Sequence, residues 1–400
     1  MNLPNKTIRI LLIATSTGHE LKFFRRKFQK FEEKHNVKVK IMRLSWTRAF
    51  PRLIEAFKNN NPPDVIQLGT TWVDTFASLG YLNPVPVSVF RPALTGWMNQ
   101  ACTYKEKYVA QPWFMEIRSL LVREDLLRKL NISSEVINSC NFINLCREIA
   151  EKQTRLQERI LPFAFSVRPE SELLHRVMSW HWAKGRSFPA PNKGGGGILS
   201  SSSCLKTLDF ISKLLKVSSA SPEELQRHPY KLYLGFLKGS YIFFQGSWEI
   251  RLTDSVNAND YGLMPMPVSG SGSKYWGGGS VLAVSSASRI KELSWQLVKF
   301  ITSDEILESW VKLSCDIPAF SCDFWDKYSH VEGVGLAYSQ VINSVSYPVH
   351  PLWASIEDEL STGLSNYFWK RFIGKDGQAE LNCALKQADT RIDDMLKLYW

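Results

Sequence analysis

Three glutamates, Glu116, Glu249 and Glu357, are the side chains best set for work on a hydroxyl-rich ligand. Two carboxylates converging on a glycosidic bond cleave it when one has a raised pKa and acts as the acid. Sequence does not reveal such a shift, and the other catalytic signatures are missing. There is no G-x-S-x-G nucleophile elbow, no H-E-x-x-H and no dinucleotide fingerprint, and His19-Glu20 lacks a second His. Lys193 precedes Gly194-Gly195-Gly196-Gly197, whereas a phosphate loop carries Gly-Lys-Ser/Thr after its glycines. That run, with Ser200 to Ser203, predicts a flexible turn. None of the seven cysteines forms C-x-x-C, and no Cys/His spacing fits zinc. An odd count leaves at least one thiol without an intramolecular partner; Cys140 with Cys146 and Cys315 with Cys322 stay open as pairs. The residues imply no metal, no organic cofactor and no enzyme.

Aromatic residues point elsewhere. The chain holds 14 Trp, 13 Tyr and 22 Phe in 400 residues. Most belong in cores. Several Trp, however, stand beside Gly, Ser, Thr or Pro: Ser45-Trp46, Thr71-Trp72, Pro112-Trp113, Ser247-Trp248 and Trp276-Gly277. A flat indole at a loop edge suits the apolar face of a sugar ring.

The elements that would position these side chains are legible at the start. Residues 8–14 predict a strand and 20–36 an amphipathic helix, with Leu21, Phe24, Phe28 and Phe31 at helical spacing. Residues 37–41 predict a second strand, 49–59 a second helix, and 64–68 a third, buried strand after Asn60-Asn61-Pro62-Pro63. Strand and helix alternating in this way build an α/β fold with a parallel sheet. Ligands bind at the carboxyl ends of such strands. Those ends are Thr15-Ser16-Thr17, Leu44-Ser45-Trp46 and Thr70-Thr71-Trp72. Residues 126–237 read as mostly helical, 280–284 as a strand, and 293–302, 304–313, 356–372 and 379–398 as helices. A chain of this length exceeds one core, so two domains are expected.

The formal net charge is +11, without a dense Lys/Arg tract. Lys22, Arg25, Arg26, Lys27 and Lys30 cluster on the first predicted helix, where a solvated helix face is the expectation and nucleic acid is not. The field favours an anionic solute or an anionic membrane surface. No apolar stretch is long enough to span a membrane, and the run from Ile8 to Ala14, broken by Arg9, does not read as a signal peptide.

Several segments, in order, resemble one family. These are Pro63-Asp64-Val65-Ile66-Gln67-Leu68-Gly69, Leu79-Gly80-Tyr81-Leu82-Asn83-Pro84, Gly246-Ser247-Trp248, Tyr261-Gly262-Leu263-Met264-Pro265 and Trp276-Gly277-Gly278-Gly279-Ser280. Together they are similar to the extracellular solute-binding proteins of bacterial ABC importers, the family that includes the maltose-binding protein. The resemblance implies a two-lobe periplasmic-binding-protein fold of type II with a hinge between lobes. It places residues 1–111 and 277–318 in the first lobe, and 112–276 and 319–400 in the second, with crossings near Gln111, Ser273 and Pro318. It implies ligand contacts from Thr15, Ser16, Thr17, Trp46, Thr71, Trp72, Trp113, Glu116, Trp180, Trp182, Trp248, Trp276, Gly277, Gly278 and Trp353. Glu116 falls where the maltose-binding protein has a ligand carboxylate. Thr71 and Trp72 replace a charged pair of that protein, which speaks against maltose itself. One of Trp180 and Trp182 is expected in the core. The function so implied is capture of a neutral carbohydrate by a monomer that delivers it to ABC transporter permease subunits, in a periplasmic or membrane-associated extracytoplasmic location. A sensory receptor of the same fold, a receptor for an anion such as glycerol phosphate, and a carbohydrate-cleaving protein are the alternatives.

Overall fold

Alternation of strand and helix at the start of the chain builds a parallel sheet, as its hydrophobic periods require. The computed structural model describes residues 6–13, 18–133, 141–153, 159–188, 197–218, 221–246, 260–267, 272–314, 316–328, 334–373 and 378–399. The chain opens with β1 (Thr7–Ile13), α1 (Gly18–His35), β2 (Lys38–Leu44), α2 (Trp46–Lys58) and β3 (Val65–Gly69). A 3-10 turn, Thr70–Trp72, leads to α3 (Val73–Ser78), β4 (Leu82–Asn83), α4 (Gly96–Ala101), β5 (Thr103–Tyr104), β6 (Lys107–Tyr108) and β7 (Gln111–Ile117). The middle comprises β8 (Ser119–Arg123), α5 (Glu124–Lys129), α6 (Phe142–Gln153), β9 (Leu161–Ala164), α7 (Ser171–Ala183), α8 (Ser202–Val217), α9 (Pro222–Leu225), α10 (Pro229–Leu237), β10 (Tyr241–Gly246) and β11 (Tyr261–Met264). Next come β12 (Tyr275–Ser285), α11 (Lys291–Ile301), α12 (Asp304–Ser314), β13 (Ile317–Pro318), α13 (Asp323–Tyr328), α14 (Val334–Ile342), β14 (Ser344–Val345), α15 (Trp353–Ile373) and α16 (Gln378–Tyr399).

The chain divides into two units. Unit 1 holds Met1–Glu116, Gly278–Gly335 and Val349–Trp353; unit 2 holds Ile117–Gly277, Leu336–Pro348 and Ala354–Trp400. The expected third crossing at Pro318 is corrected. Ile317 and Pro318 pair antiparallel with Met115 and Phe114 of β7, and α13 packs on α12, so the chain stays in unit 1 beyond Pro318. The brief return at Val349–Trp353, where Thr75 Oγ1 donates to the Pro351 carbonyl at 2.6 Å, carries no sequence signature.

In unit 1 the strands run β13-β7-β12-β3-β1-β2, with β4 beside the end of β12. β1 is parallel to β2 and β3, while β12 is antiparallel to β3. All five residues of β3 are buried, as a central strand covered on both faces requires. Phe24, Phe28 and Phe31 of α1 are buried at i, i+4, i+7 spacing, the apolar stripe that seats a helix on its sheet. In unit 2 the order is β11-β8-β10-β9, with β9 parallel to β10 and the other pairs antiparallel. Its core gathers Phe142, Phe163, Trp180 and Phe243, whose ring centroids lie 5.1–6.2 Å apart.

Candidate functional site

The carboxyl ends of β1, β2 and β3 lie together because the three strands are parallel and in register. There unit 1 has a cavity of about 120 Å³. Its wall includes Ile13, Arg43, Trp46, Gln67, Trp113, Ser280, Trp310 and Asp316. About 10–15 Å³ of such volume holds one water, so the space admits several waters or a small polar ring.

Each polar group in the wall is held by local structure. Gln67 is the one polar side chain in the buried strand β3. Its Oε1 accepts from the Ile13 backbone N–H at 2.8 Å and its Nε2 donates to Ser280 Oγ at 3.0 Å. Buried amides require such partners, and these fix the Gln67 rotamer. Asp316 accepts at Oδ2 from Trp310 Nε1 at 2.8 Å, and its backbone N–H donates to Ser314 Oγ at 3.1 Å. Burial raises the Asp316 pKa to about 6, against the smaller opposing pull of hydrogen bonds to its side chain from the Trp310 indole and the Ser314 hydroxyl. Asp316 is half-buried and lines the cavity.

The aromatic wall is layered. Trp113 is nearly parallel to Trp310 at 6.4 Å and packs on Phe24 at 6.0 Å. The Trp113 Nε1 is itself buried and has no hydrogen-bond partner among the described residues. Trp46 opens α2, is 37% exposed, and meets the edge of Trp72 at 5.4 Å. Trp72 also packs on Phe50. Thr71 and Trp72 are half-buried in the 3-10 turn after β3, and Gly69 before them lets Trp46 and Trp72 close over the backbone. Trp46, Thr71, Trp72 and Trp113 are thus brought together. Glu116, half-buried in β7, ends the first segment of unit 1. Trp353 opens α15 and is buried. Thr15, Ser16, Thr17, Trp248, Glu249 and Arg251 lie outside the described residues.

Unit 2 has its own polar cluster beyond the carboxyl ends of β9 and β10. Arg118 Nη2 meets Glu172 Oε1 at 2.7 Å, and Arg176 Nε lies 3.7 Å from Glu172 Oε2. Glu172 and Arg176 are one turn apart on α7, so the helix itself sets this pairing. Burial pushes the Glu172 carboxyl up, but the Arg118 and Arg176 guanidiniums overcome it and hold the pKa at about 2. His175 lies between Tyr347, whose hydroxyl is 2.9 Å from Nδ1, and Glu357, whose Oε1 is 3.2 Å from Nε2. Burial, with Arg118 and Arg176 adding to it against Glu172, lowers the His175 pKa to about 3. The ring is therefore neutral at pH 7, accepting from Tyr347 and donating to Glu357. Burial also keeps the Tyr347 hydroxyl protonated, its pKa raised well above 10.

Trp180, Trp182, Trp276, Gly277 and Gly278 have the following places. Trp180 is fully buried between Phe142, Phe163 and Phe210 and belongs to the core. Trp182 is buried against Phe188 and Tyr347. Trp276 is stacked on His175 at 4.5 Å, with the Arg118 guanidinium 5.4 Å from its ring, so its faces are used within unit 2. Gly277 and Gly278 lie in strand β12, not in a rim loop. Their neighbour Gly279 has a steric requirement, since a Cβ there would stand 2.2 Å from the Phe114 carbonyl oxygen. Sequence reading missed Gln67, Ser280, Trp310 and Asp316 as wall residues. Gln67 carried a signal, an amide inside an apolar strand; the others did not.

Among the described residues, Cys102, Cys146, Cys204, Cys322 and Cys383 are free thiols, and no group of three or more His, Cys, Asp and Glu forms a metal site. No described helix is long and apolar enough to cross a membrane.

Comparison with known proteins agrees with this architecture. The structure superposes on an ABC transporter solute-binding protein from Thermotoga lettingae, solved with α-D-tagatose, at a TM-score of 0.83 and 20% identity, covering 98% of this chain and 100% of that one. It superposes on maltose-bound MalE3 of T. maritima at a TM-score of 0.80 and 18% identity, covering 97% and 99%. The α/β fold is therefore that of MalE-like solute-binding proteins. In sequence the chain is 23% identical over 346 residues to the diacetylchitobiose binding protein DasA of Streptomyces coelicolor, covering 82% of this chain and 77% of that protein. Residues 28–321 match the profile of the bacterial extracellular solute-binding protein family. That match spans well over half of the chain, which belongs to the bacterial extracellular solute-binding proteins.

Proposed function

We propose that this protein binds a neutral carbohydrate or polyol as a monomer outside the cytoplasm and delivers it to the permease of an ABC transporter. The observation that carries this reading is the cavity at the carboxyl ends of β1, β2 and β3, where indole faces stand beside hydroxyl-matching groups. Trp46 and Trp113 supply apolar faces for a sugar ring. The Asp316 carboxylate, Gln67 and Ser280 are matched to ligand hydroxyls, and Thr71 and Trp72 border them. Such a mostly apolar site with a few fixed polar groups is how small-molecule pockets achieve specificity. The names of the relatives support the ligand class: diacetylchitobiose, maltose and tagatose are all neutral carbohydrates.

The test is a thermal-shift and calorimetry panel of neutral mono- and oligosaccharides, polyols, uronates and glycerol phosphates. A true ligand at 100 times its Kd adds about 2.7 kcal/mol of apparent stability. A neutral ligand should also bind almost equally at low and high salt, because only charged partners are screened. Stabilisation by uronates or glycerol phosphates alone, lost at high salt, overturns the neutral-ligand reading. Conversion of an oligosaccharide to products overturns the binding-only role.

A further inference from the structure

The net charge is concentrated, although the sequence disguises it. Residues 22–58 hold twelve Lys and Arg against three Glu, so this stretch carries nine of the chain's formal charge of +11. Its basic residues are divided among a helix, a strand and a second helix, so no single element reads as a basic tract. The topology brings them together. β2 is the edge strand of the unit 1 sheet, α1 leads outward to it from β1, and α2 leads back past β1 to β3. Right-handed crossovers in opposite directions place the two helices on opposite faces of the sheet. The basic residues of α1, β2 and α2 therefore form one band around one edge of unit 1.

Eleven of the twelve are exposed, and Lys27 is half-buried. Few are neutralised. Lys38 meets Glu32 at 3.5 Å, Arg52 meets Glu55 at 2.8 Å, and Lys27 and Lys30 share Glu305 at 3.8 and 3.5 Å. Among the described residues, Lys22, Arg25, Arg26, Lys34, Lys40 and Lys58 have no ion pair. Lys38 and Lys40 serve a further purpose, since charge on an edge strand discourages strand pairing with another chain. That accounts for two residues and not for the helices.

The composition of the band selects its partner. A protein interface has an apolar, aromatic centre and is depleted in Lys. Here Trp46 is the one large hydrophobic residue exposed among described residues 18–58. Single-stranded nucleic acid is held on rows of aromatic platforms, which this band does not present. A lipid headgroup surface needs no apolar centre, and rewards each Lys or Arg near it on the order of fivefold in attachment. An extracellular receptor meets such a surface at the outer face of its membrane. We propose that the α1–β2–α2 edge of unit 1 docks on anionic phospholipid headgroups.

Sedimentation with vesicles tests this. Wild-type protein should pellet with vesicles of phosphatidylcholine containing about one third phosphatidylglycerol at about 20 mM salt, not with phosphatidylcholine alone, and should detach at about 500 mM salt. The variant Lys22→Glu/Arg25→Glu/Arg26→Glu/Lys40→Glu should attach at least ~100-fold more weakly. A control, Lys206→Glu/Lys216→Glu/Lys231→Glu/Lys238→Glu, has the same net charge with its exposed substitutions on unit 2, and should stay within a few-fold of wild type. Circular dichroism melts verify that each variant is folded. If the fourfold variant melts early, Arg25→Gln/Arg26→Gln is read instead, with a ~10-fold loss expected. No attachment by wild type, equal loss in both fourfold variants, or preference for a DNA duplex competitor over the phosphatidylglycerol vesicles overturns the proposal.

Discussion

The Trp310 indole N–H donates to Asp316 Oδ2 at 2.8 Å, and both residues stand in the wall of the unit 1 cavity. The pair holds a carboxyl group in a place that favours its neutral form. Its pKa is near 6, against 3.8 ordinarily, because burial outweighs the indole hydrogen bond. The unfolded chain then ionises before the folded one. Stability should fall as pH rises from about 4 to about 6, by roughly 2 kcal/mol, and be level above that. Asp316→Asn keeps the acceptor for Trp310 and removes the titration. Urea melts at a series of pH values should show that local slope flattened. Ligand affinity should rise between pH 5 and 7 in wild type, since hydroxyls bond more strongly to a carboxylate, and be level in Asp316→Asn.

The Glu172 carboxylate answers two arginines, Arg118 at 2.7 Å and Arg176 at 3.7 Å. Its pKa is held at about 2, below the ordinary 4.5. Its contribution to stability is therefore present above pH 4.5 and lost as pH falls toward 2. Glu172→Gln leaves two guanidiniums without a counter-charge, and should cost about 2 kcal/mol at pH 7 once partial exposure is allowed for. The mutant's stability should fall less steeply in acid than wild type. Equal stability at pH 7 would show that solvent already screens the cluster.

Trp46 and Trp113 are the exposed and the buried indole of the cavity wall. Trp46→Ala should leave folding within about 1 kcal/mol of wild type, because the ring is already 37% exposed. It should weaken carbohydrate binding by about tenfold or more. Trp113→Phe keeps a ring but trims the buried part of the cavity wall, and should cost about 1 kcal/mol of binding. Titration calorimetry beside urea melts distinguishes the two. Normal binding by both variants would remove this cavity from the ligand site.

Gly279→Ala tests the close approach of β12 to β7. The added Cβ would lie 2.2 Å from the Phe114 carbonyl oxygen and 3.2 Å from Met115 Cα, so backbone must move. A loss of about 3 kcal/mol is expected. Gly272→Ala, at φ +92° with nothing within 4 Å of its Cβ, should show backbone strain alone, about 1 kcal/mol. Denaturation midpoints check both.

The sequence by itself determined the local grammar of this protein. The apolar spacing of Phe24, Phe28 and Phe31 specified α1, and the run from Val65 to Leu68, apolar but for Gln67, specified a buried strand. Their alternation was enough for a parallel sheet, and thereby to place Trp46 and Thr71-Trp72 just beyond the carboxyl ends of its strands. Such signals are readable because burial periods are short-range properties of the chain. What each Trp does was not readable. Trp113 lines a cavity, Trp180 is enclosed in a core and Trp276 is stacked on His175, yet all three are Trp in mixed polar surroundings. Gln67 and Ser280 are 213 positions apart and hydrogen-bonded; Asp316 joins their cavity from a third segment. Only the antiparallel docking of β12 on β3, and of β13 on β7, brings those segments together. Pairing over such separations depends on the whole sheet, so tertiary structure alone decided which polar groups face the cavity and which arginines are already neutralised.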